Sequence, residues 1–385
     1  MKKKKIVTLN EDVFIPLYLS GKNSFELSQI FKCSQRKIEH YESRLRNQHK
    51  IPYRKDMGET KKKEKTNHRN MEIFEEVKVY VENAQQVLAE YDNLYKNIPL
   101  EVKLGKNKQV EDMALVWSDM HTGMINKHPL TKEVTYDQSV QEIELRNMAE
   151  GVLRFHELYK PSYNFETLYI FDAGDNITND RIYEGQLGEI TCGVGEQIIK
   201  CFNYQSDFIT KMLGVFPKVV LIGVPGNHGR TTSKPISEDP SNSFEYLKNK
   251  LLQERFRGNK RVEIIVPNSY THCVKIHGHK YLLTHGNIVR GGTLNSIERA
   301  VKDISTLAYQ EFYDLVIIGH FHTSLKLTIT PETKLLVNGC FIEYDDYAYN
   351  KLHKFSSPTQ WLFCISKKSA MHNAQELDLK WDKRK

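Results

Sequence analysis

The sequence predicts an α/β domain preceded by a small all-α helix-turn-helix module and a long helix. Three observations carry this. Five apolar runs beyond residue 110 each end in Asp, Asn or His. The first 70 residues hold 18 Lys and Arg against 8 Asp and Glu, whereas residues 71–385 hold 37 against 40. Between these regions, apolar side chains recur with a seven-residue period. These shifts divide the chain into 1–50, 51–110 and 111–385.

Composition sets the outer limits. The 385 residues are 39% hydrophobic and 10% aromatic, enough for a packed core, so a wholly disordered chain is excluded. No stretch has the length of a membrane span, and the Lys-rich start lacks the apolar segment of a secretory signal. The cysteines at 33, 192, 201, 273, 340 and 364 make no Cys-x-x-Cys pair and no disulfide framework. The expectation is a soluble cytoplasmic protein (host cytoplasm if phage-encoded) with buried, reduced thiols and no membrane partner.

In the N-terminal module, Phe14, Ile15, Leu17, Tyr18 and Leu19 form an apolar cluster ending at Gly21. Ser24 is placed to cap a helix carrying Phe25, Leu27, Ile30 and Phe31. After Lys32-Cys33-Ser34, a second stretch from Gln35 to about Gln48 sets Ile38, Tyr41 and Leu45 on one face. Arg36, Lys37, His40, Arg44 and Arg46 occupy other positions of this stretch. A short helix, a tight turn and a basic helix make helix-turn-helix geometry, in which the second helix reads the major groove. The segment from Phe25 to Ile38 resembles the helix-turn-helix units of phage regulators and small terminase subunits. DNA is the expected partner, against a helical module for protein contacts.

Residues 50–70 are polar and charged and read as a linker. Ile73, Val77, Tyr80, Ala84, Val87, Tyr91 and Leu94 then step by fours and threes, and Pro99 closes the helix. This seam, within 71–96, suits either a homodimer contact or a face laid on the following domain.

The domain that follows alternates strands with polar loops. Ala114–Trp117 leads to Ser118-Asp119-Met120-His121, and Thr167–Phe171 to Asp172-Ala173-Gly174-Asp175-Asn176. Lys218–Gly223 leads to Pro225-Gly226-Asn227-His228-Gly229, Lys280–Leu283 to His285, and Asp314–Ile318 to Gly319-His320-Phe321-His322. Trp361–Ile365 reads as a final strand. Ligands of α/β folds bind at the carboxyl ends of the strands. Oxygen and imidazole donors without thiolate suit Mn, Fe, Zn or Ni. Seven ligands exceed one tetrahedral site and match two divalent ions about 3.5–4 Å apart sharing a carboxylate.

The series Asp119-x-His121, Gly174-Asp175, Gly226-Asn227-His228, His285 and Gly319-His320-x-His322 resembles the calcineurin-like metallophosphoesterase superfamily over roughly residues 112–345. The resemblance implies a double β-sandwich flanked by helices. It implies that Asp119, His121, Asp175 and His322 hold one metal and that Asp175, Asn227, His285 and His320 hold the other, with Mn preferred. It also implies that a hydroxide carried by the metals attacks phosphorus and that catalytic His228 sits over the phosphate.

Gly174-Asp175-Asn176-Ile177-Thr178-Asn179-Asp180 and Gly226-Asn227-His228-Gly229 depart from the protein Ser/Thr phosphatase patterns. Gly229 also departs from the Gly-Asn-His-Asp of SbcD-type nucleases. Arg230 and Lys234, in the loop after His228, suit a polyphosphate backbone. Arg181, His277, His279 and Arg290 are further polar candidates, and the Tyr-rich stretch Asn338–Tyr349 either stacks on bases or closes the sandwich.

The expected function is hydrolysis of nucleic-acid phosphodiesters, DNA first. The alternatives are a phosphatase or nucleotide phosphodiesterase on a small substrate, and a DNA-binding regulatory or packaging accessory with a non-catalytic phosphoesterase scaffold. No Walker A loop occurs, so any ATP use belongs to a separate ATPase partner.

Overall fold

The computed structural model describes residues 9–48, 50–51, 99, 101–105, 108–233, 239–289, 293–304, 312–344 and 357–380. The chain forms two compact units, Met1–Val79 and Tyr80–Lys385. The expected heptad seam at 71–96, Lys234 and Arg290 lie outside the described residues.

The first unit packs three helices: α1 (Glu11–Leu19), α2 (Ser24–Ile30) and α3 (Gln35–Asn47). Phe14, Tyr18, Leu27, Ile38, Tyr41 and Leu45 form its core. The cap of α2 is Asn23 rather than the expected Ser24. Asn23 and Glu26 bond each other's backbone amides reciprocally, while the Ser24 hydroxyl donates to Glu42 at 3.1 Å. Phe25 and Ile30, expected on the apolar face, are exposed, because a two-turn helix offers this small core little more than Leu27.

The second unit is a sandwich of two β-sheets flanked by helices, as expected. The six-stranded sheet has β1 (Gln109–Trp117), β4 (Tyr163–Asp172), β5 (Lys218–Gly223) and β6 (Val262–Ile265) running parallel. On the other side of β1 lie β12 (Thr359–Ser366) and then β13 (Ser369–Asp378), both paired antiparallel. The five-stranded sheet runs β10 (Leu325–Thr328), β11 (Lys334–Val337), β9 (Leu315–Ile318), β8 (His279–Thr284), β7 (Thr271–Ile276). A short ribbon of β2 (Asn126–Lys127) and β3 (Val134–Tyr136) stands apart. The edge strand β13 is an addition to the sequence reading.

The inner faces meet through Ala114, Val116, Phe171 and Ile222 on one side and Tyr281, Leu283, Ile317 and Leu336 on the other. Helices α4 (Gln138–Tyr159), α5 (Val194–Met212) and α6 (Phe244–Arg255) belong to the crossovers of the parallel strands. Trp117 on β1 meets Phe208 of α5 edge-on at 5.1 Å. Helix α7 (Leu294–Asp303) buries Ile297 and Val301 against the second sheet. No described helix is long and apolar enough to cross a membrane.

Candidate metal centre

The expected strand-end residues converge. β1, β4, β5, β8 and β9 all end at one edge of the sandwich. The loops after β1 and β4 run side by side: Asp119 N donates to Gly174 O at 3.0 Å, and His121 N to Asp175 O at 3.0 Å. The loop after β9 joins them, its His320 N donating to both Asp119 oxygens at 3.1 Å. Five of the seven expected ligands take left-handed backbone angles: Asp119 (φ 54°), His121 (48°), Asp175 (54°), His320 (70°) and His322 (50°). Such angles cost a non-glycine residue about 1 kcal/mol or more and persist only where surrounding bonds hold them. Two glycines permit the approach. A Cβ on Gly226 would lie 2.1 Å from Asp175 Oδ1, and one on Gly319 would lie 2.5 Å from Asp119 Oδ2.

Three overlapping groups of donor atoms result: Asp119, His121 and His322; His121, Asp175 and His228; and Asp175, His285 and His320. His121 Nε2 and His322 Nε2 face each other at 3.1 Å. His285 Nε2 lies 2.9 Å from Asp175 Oδ2 and 3.0 Å from Asn227 Oδ1. His285 Nδ1, 2.8 Å from the Ala173 carbonyl, carries that ring's proton. The neutral ring then turns a lone pair toward two oxygens. Three acceptors in contact require either a second proton on the ring or a cation among them. His121 Nδ1 is buried without a hydrogen-bond partner. The donor set, oxygen and imidazole nitrogen without sulfur, fits divalent first-row metals.

The electrostatics follow from burial. Burial raises Asp175, yet the charges of His285, His228 and His121 outweigh it and hold the carboxyl well below its usual range. Asp119 is likewise raised by burial but lowered overall by His322 and His285. Burial lowers His285, but Asp175 and Asp119 pull it up to about 9. Burial, reinforced by neighbouring imidazoles, depresses His121 and His320 to about 3.

His228 stands slightly apart. Its Nδ1 is 2.7 Å from Thr178 O, its Nε2 is 4.0 Å from Asp175 Oδ2, and the side chain is 16% exposed. It lines a cleft of about 1040 Å³ that opens over the cluster. The loop after His228 is ordered at its start: Arg230 is buried, donates to Asn227 O at 2.8 Å, and sets its guanidinium 5.9 Å from the Tyr183 ring centre. Among the α3 residues expected to meet DNA, Arg36, Lys37, His40 and Arg44 are exposed. Arg46 departs from that expectation, because it is partly buried and paired with Glu42 at 3.5 Å.

Several site residues escaped the sequence reading. The Tyr183 hydroxyl accepts from Asn227 Nδ2 at 2.8 Å and orients that amide. Asn179, at φ 75°, donates to the His228 and Arg230 carbonyls at 2.7 Å each. Glu245, wholly buried on α6, accepts from Asn176 N at 2.5 Å and Gly226 N at 2.6 Å. Burial, with the Asp175 charge, raises it to about 7. Beneath it, Lys248 and Asp172 form an ion pair at 2.7 Å with no exposure on either side. The only signals were an Asn in a loop needing positive φ and charges on an otherwise ordinary helix. His277 and His279 bond Asp112, Asp314 and Ser366, near the β7–β8 turn at the sheet end opposite the cluster. Asn338 donates to Ser118 Oγ at 2.9 Å and Asn126 to the Glu343 carbonyl at 2.8 Å, so residues 338–344 pack on the end of β1 and on the β2–β3 ribbon, while 345–349 lie outside the described residues.

No family model matches this chain, and no curated protein matches it. Among solved structures, Vps29 of Entamoeba histolytica complexed with zinc shares 13% identity over 69% of this chain and 99% of its own, with a TM-score of 0.31. Vacuolar Protein Sorting 29 of Cryptosporidium parvum shares 10% over 70% and 98%, with a TM-score of 0.32. A metallophosphoesterase of Sphaerobacter thermophilus shares 12% over 66% and 83%, with a TM-score of 0.27. TM-scores this low identify neither a family nor an activity for this chain.

Proposed function

We propose that this chain is a divalent-metal-dependent phosphodiesterase of the calcineurin-like metallophosphoesterase superfamily, hydrolysing nucleic acid, with DNA as substrate. The observation that carries the reading is the convergence of Asp119, His121, Asp175, Asn227, His285, His320 and His322 beneath a cleft lined by His228. Those seven residues would hold two divalent ions, Mn by preference. When bound, the ions supply charge neutralisation at phosphorus and water acidic enough to ionise near neutral pH.

The chain's own groups complete the site. His228 keeps its Nδ1 proton on the Thr178 carbonyl and holds the transferable proton at Nε2, for the leaving oxygen. Arg230, anchored on Asn227 O, brings fixed positive charge to the cleft wall. The half-exposed ring of Tyr183, oriented by its bonds to Asn227 and Arg230, gives an unpaired base a surface to stack on. In the N-terminal unit, Arg36, Lys37, His40 and Arg44 present a basic face to the phosphate backbone. Arg44 lies 3.8 Å from Glu11 but is 53% exposed, so that pair costs little to exchange for a phosphate. Tethering this unit to the catalytic unit raises the local DNA concentration.

The test is hydrolysis of bis-p-nitrophenyl phosphate and of labelled single- and double-stranded DNA, with Mn(II) and with EDTA, for the wild type and His228→Ala. The reading expects both substrates to be cleaved, chelation to abolish cleavage, and His228→Ala to slow it about 10²–10⁴-fold. Cleavage of the small diester without DNA cleavage would favour a nucleotide phosphodiesterase. Cleavage of neither substrate, with DNA still bound, would favour the accessory scaffold.

A further inference from the structure

A second group of metal-binding side chains lies far from the cleft. Glu111 on β1, Cys364 on β12 and His372 on β13 bring one donor atom each to within 4.8 Å of the others. They occupy three neighbouring strands and share a sheet face: Cys364 is directly opposite Met113 and directly opposite His372. Glu111 is two residues before Met113, near the start of β1, whereas Asp119 follows the end of that strand. At about 3.3 Å per residue, the two groups are roughly 20 Å or more apart.

The ladders beside these three residues are irregular. The β1–β4 ladder shifts register between Glu111 and Met113. The β12–β13 ladder shifts on both sides of the Cys364–His372 pair, and Asn373 takes φ 47°. The extra residues lie on β4 and β13, and those on β13 flank His372 and re-aim it toward the donors of Cys364 and Glu111. Glu111 is 1% exposed, and its Oε1 accepts from Gln109 at 2.9 Å. Its Oε2 stands 3.1 Å from His372 Nε2, yet neither atom has a hydrogen-bond partner. The carboxylate and the ring are therefore within ion-pair range but not aligned for a hydrogen bond. Cys364 is fully buried beside them, while the His372 side chain is 25% exposed and brings the group to solvent.

We propose that Glu111, Cys364 and His372 form a separate Zn(II) site, binding through one carboxylate oxygen, one thiolate and one imidazole nitrogen, with solvent at the fourth position. Sulfur, nitrogen and oxygen donors together are a zinc set, unlike the sulfur-free centre at the cleft. Burial raises the Cys364 thiol to about 12, and burial with the Asp112 charge raises Glu111 to about 7. Binding therefore releases the Cys364 proton to solvent and, below about pH 7, the Glu111 proton as well, with no oxidant or reductant involved. The ion would pin the edge strand β13 across β12 to β1.

The experiment is titration of chelator-treated full-length protein with Co(II), read by absorbance. The cleft centre has no cysteine, so a near-ultraviolet thiolate-to-cobalt charge-transfer band reports this site alone. The wild type should give that band and hold one more cobalt per chain than Cys364→Ser. Cys364→Ser should lose the band and keep the weaker visible bands of the cleft centre. His372→Gln, a change at a partly exposed edge position, should weaken cobalt binding at the band at least tenfold, and it serves alone if Cys364→Ser does not fold. No band in wild type at saturating Co(II), a band that survives Cys364→Ser, or His372→Gln with unchanged affinity would overturn the proposal.

Discussion

Removing divalent metal with EDTA and following thermal stability from about pH 5 to about pH 10 tests the buried histidines directly. In the metal-free protein His285 is held at about 9, against an ordinary value of 6.5, by Asp175 acting against burial. By linkage this net upward shift, in which burial is outweighed by Asp175, Asp119 and the Ala173 carbonyl, contributes roughly 3 kcal/mol. The His285 and Asp175 side chains are each only 1% exposed, so solvent screens little of it. Because the folded value is the higher one, this stability is fully present below about pH 6.5 and is lost as pH rises through about 9. His121 and His320 act in the opposite sense. Both are lowered to about 3, so protons bind the unfolded chain first and stability also falls as pH drops below 6.5. Metal-free protein should therefore be most stable near pH 6.5–7.5, with an alkaline decline of roughly 5–10 °C in Tm. Differential scanning fluorimetry measures this. His285→Gln should flatten the alkaline limb only, and saturating metal, which needs the neutral ring, should remove it. A metal-free Tm that stays constant from about pH 6.5 to about 9.5, or an unchanged alkaline limb in His285→Gln, would refute the reasoning.

Three further outcomes follow from particular side chains. Lys248→Met leaves Asp172 charged and buried without its cation and should cost about 3–5 kcal/mol in urea unfolding of the second unit. Leu27→Ala opens the three-helix core and should destabilise that unit by about 2–5 kcal/mol; DNA affinity should fall while cleavage of bis-p-nitrophenyl phosphate stays at the wild-type rate. Replacing Arg36, Lys37 and Arg44 together by Ala should reduce the salt dependence of DNA binding, by roughly one unit of log–log slope for each phosphate that α3 no longer neutralises, and an unchanged slope would remove α3 from the interface.

The parts of the site that sequence conveys well are those where chemistry interrupts a strong local pattern. Asp119, Asp175, Asn227, His285 and His320 each follow an apolar strand, and a polar residue at a strand end is visible without knowing the fold. Helices α2 and α3 were legible from periodicity, since Ile38, Tyr41 and Leu45 share one face of α3, whereas α1 showed only as an apolar cluster. The supporting groups are different. Glu245 and Lys248 sit in a helix with weak amphipathic order, and only the crossover geometry decides that they face the sheet. Tyr183 acquires its role through a contact with Asn227, 44 positions away in sequence. The choice of Asn23 over Ser24 as cap turns on one backbone angle, which residue type alone does not fix. β13 was missed because its alternation is weak and its burial is partial.

The carboxylate of Glu245 has a consequence for how this centre can change. It bonds an amide from the loop after β4 and an amide from the loop after β5, so one helix residue sets the spacing of the loops that carry Asp175 and Asn227. Neither loop can be exchanged for that of another protein by itself. A transplanted segment around Asp175 or Asn227 would need to supply its amide at the same height above α6, or the other loop would lose its register. Helix α6 is therefore part of the smallest portable unit of the site.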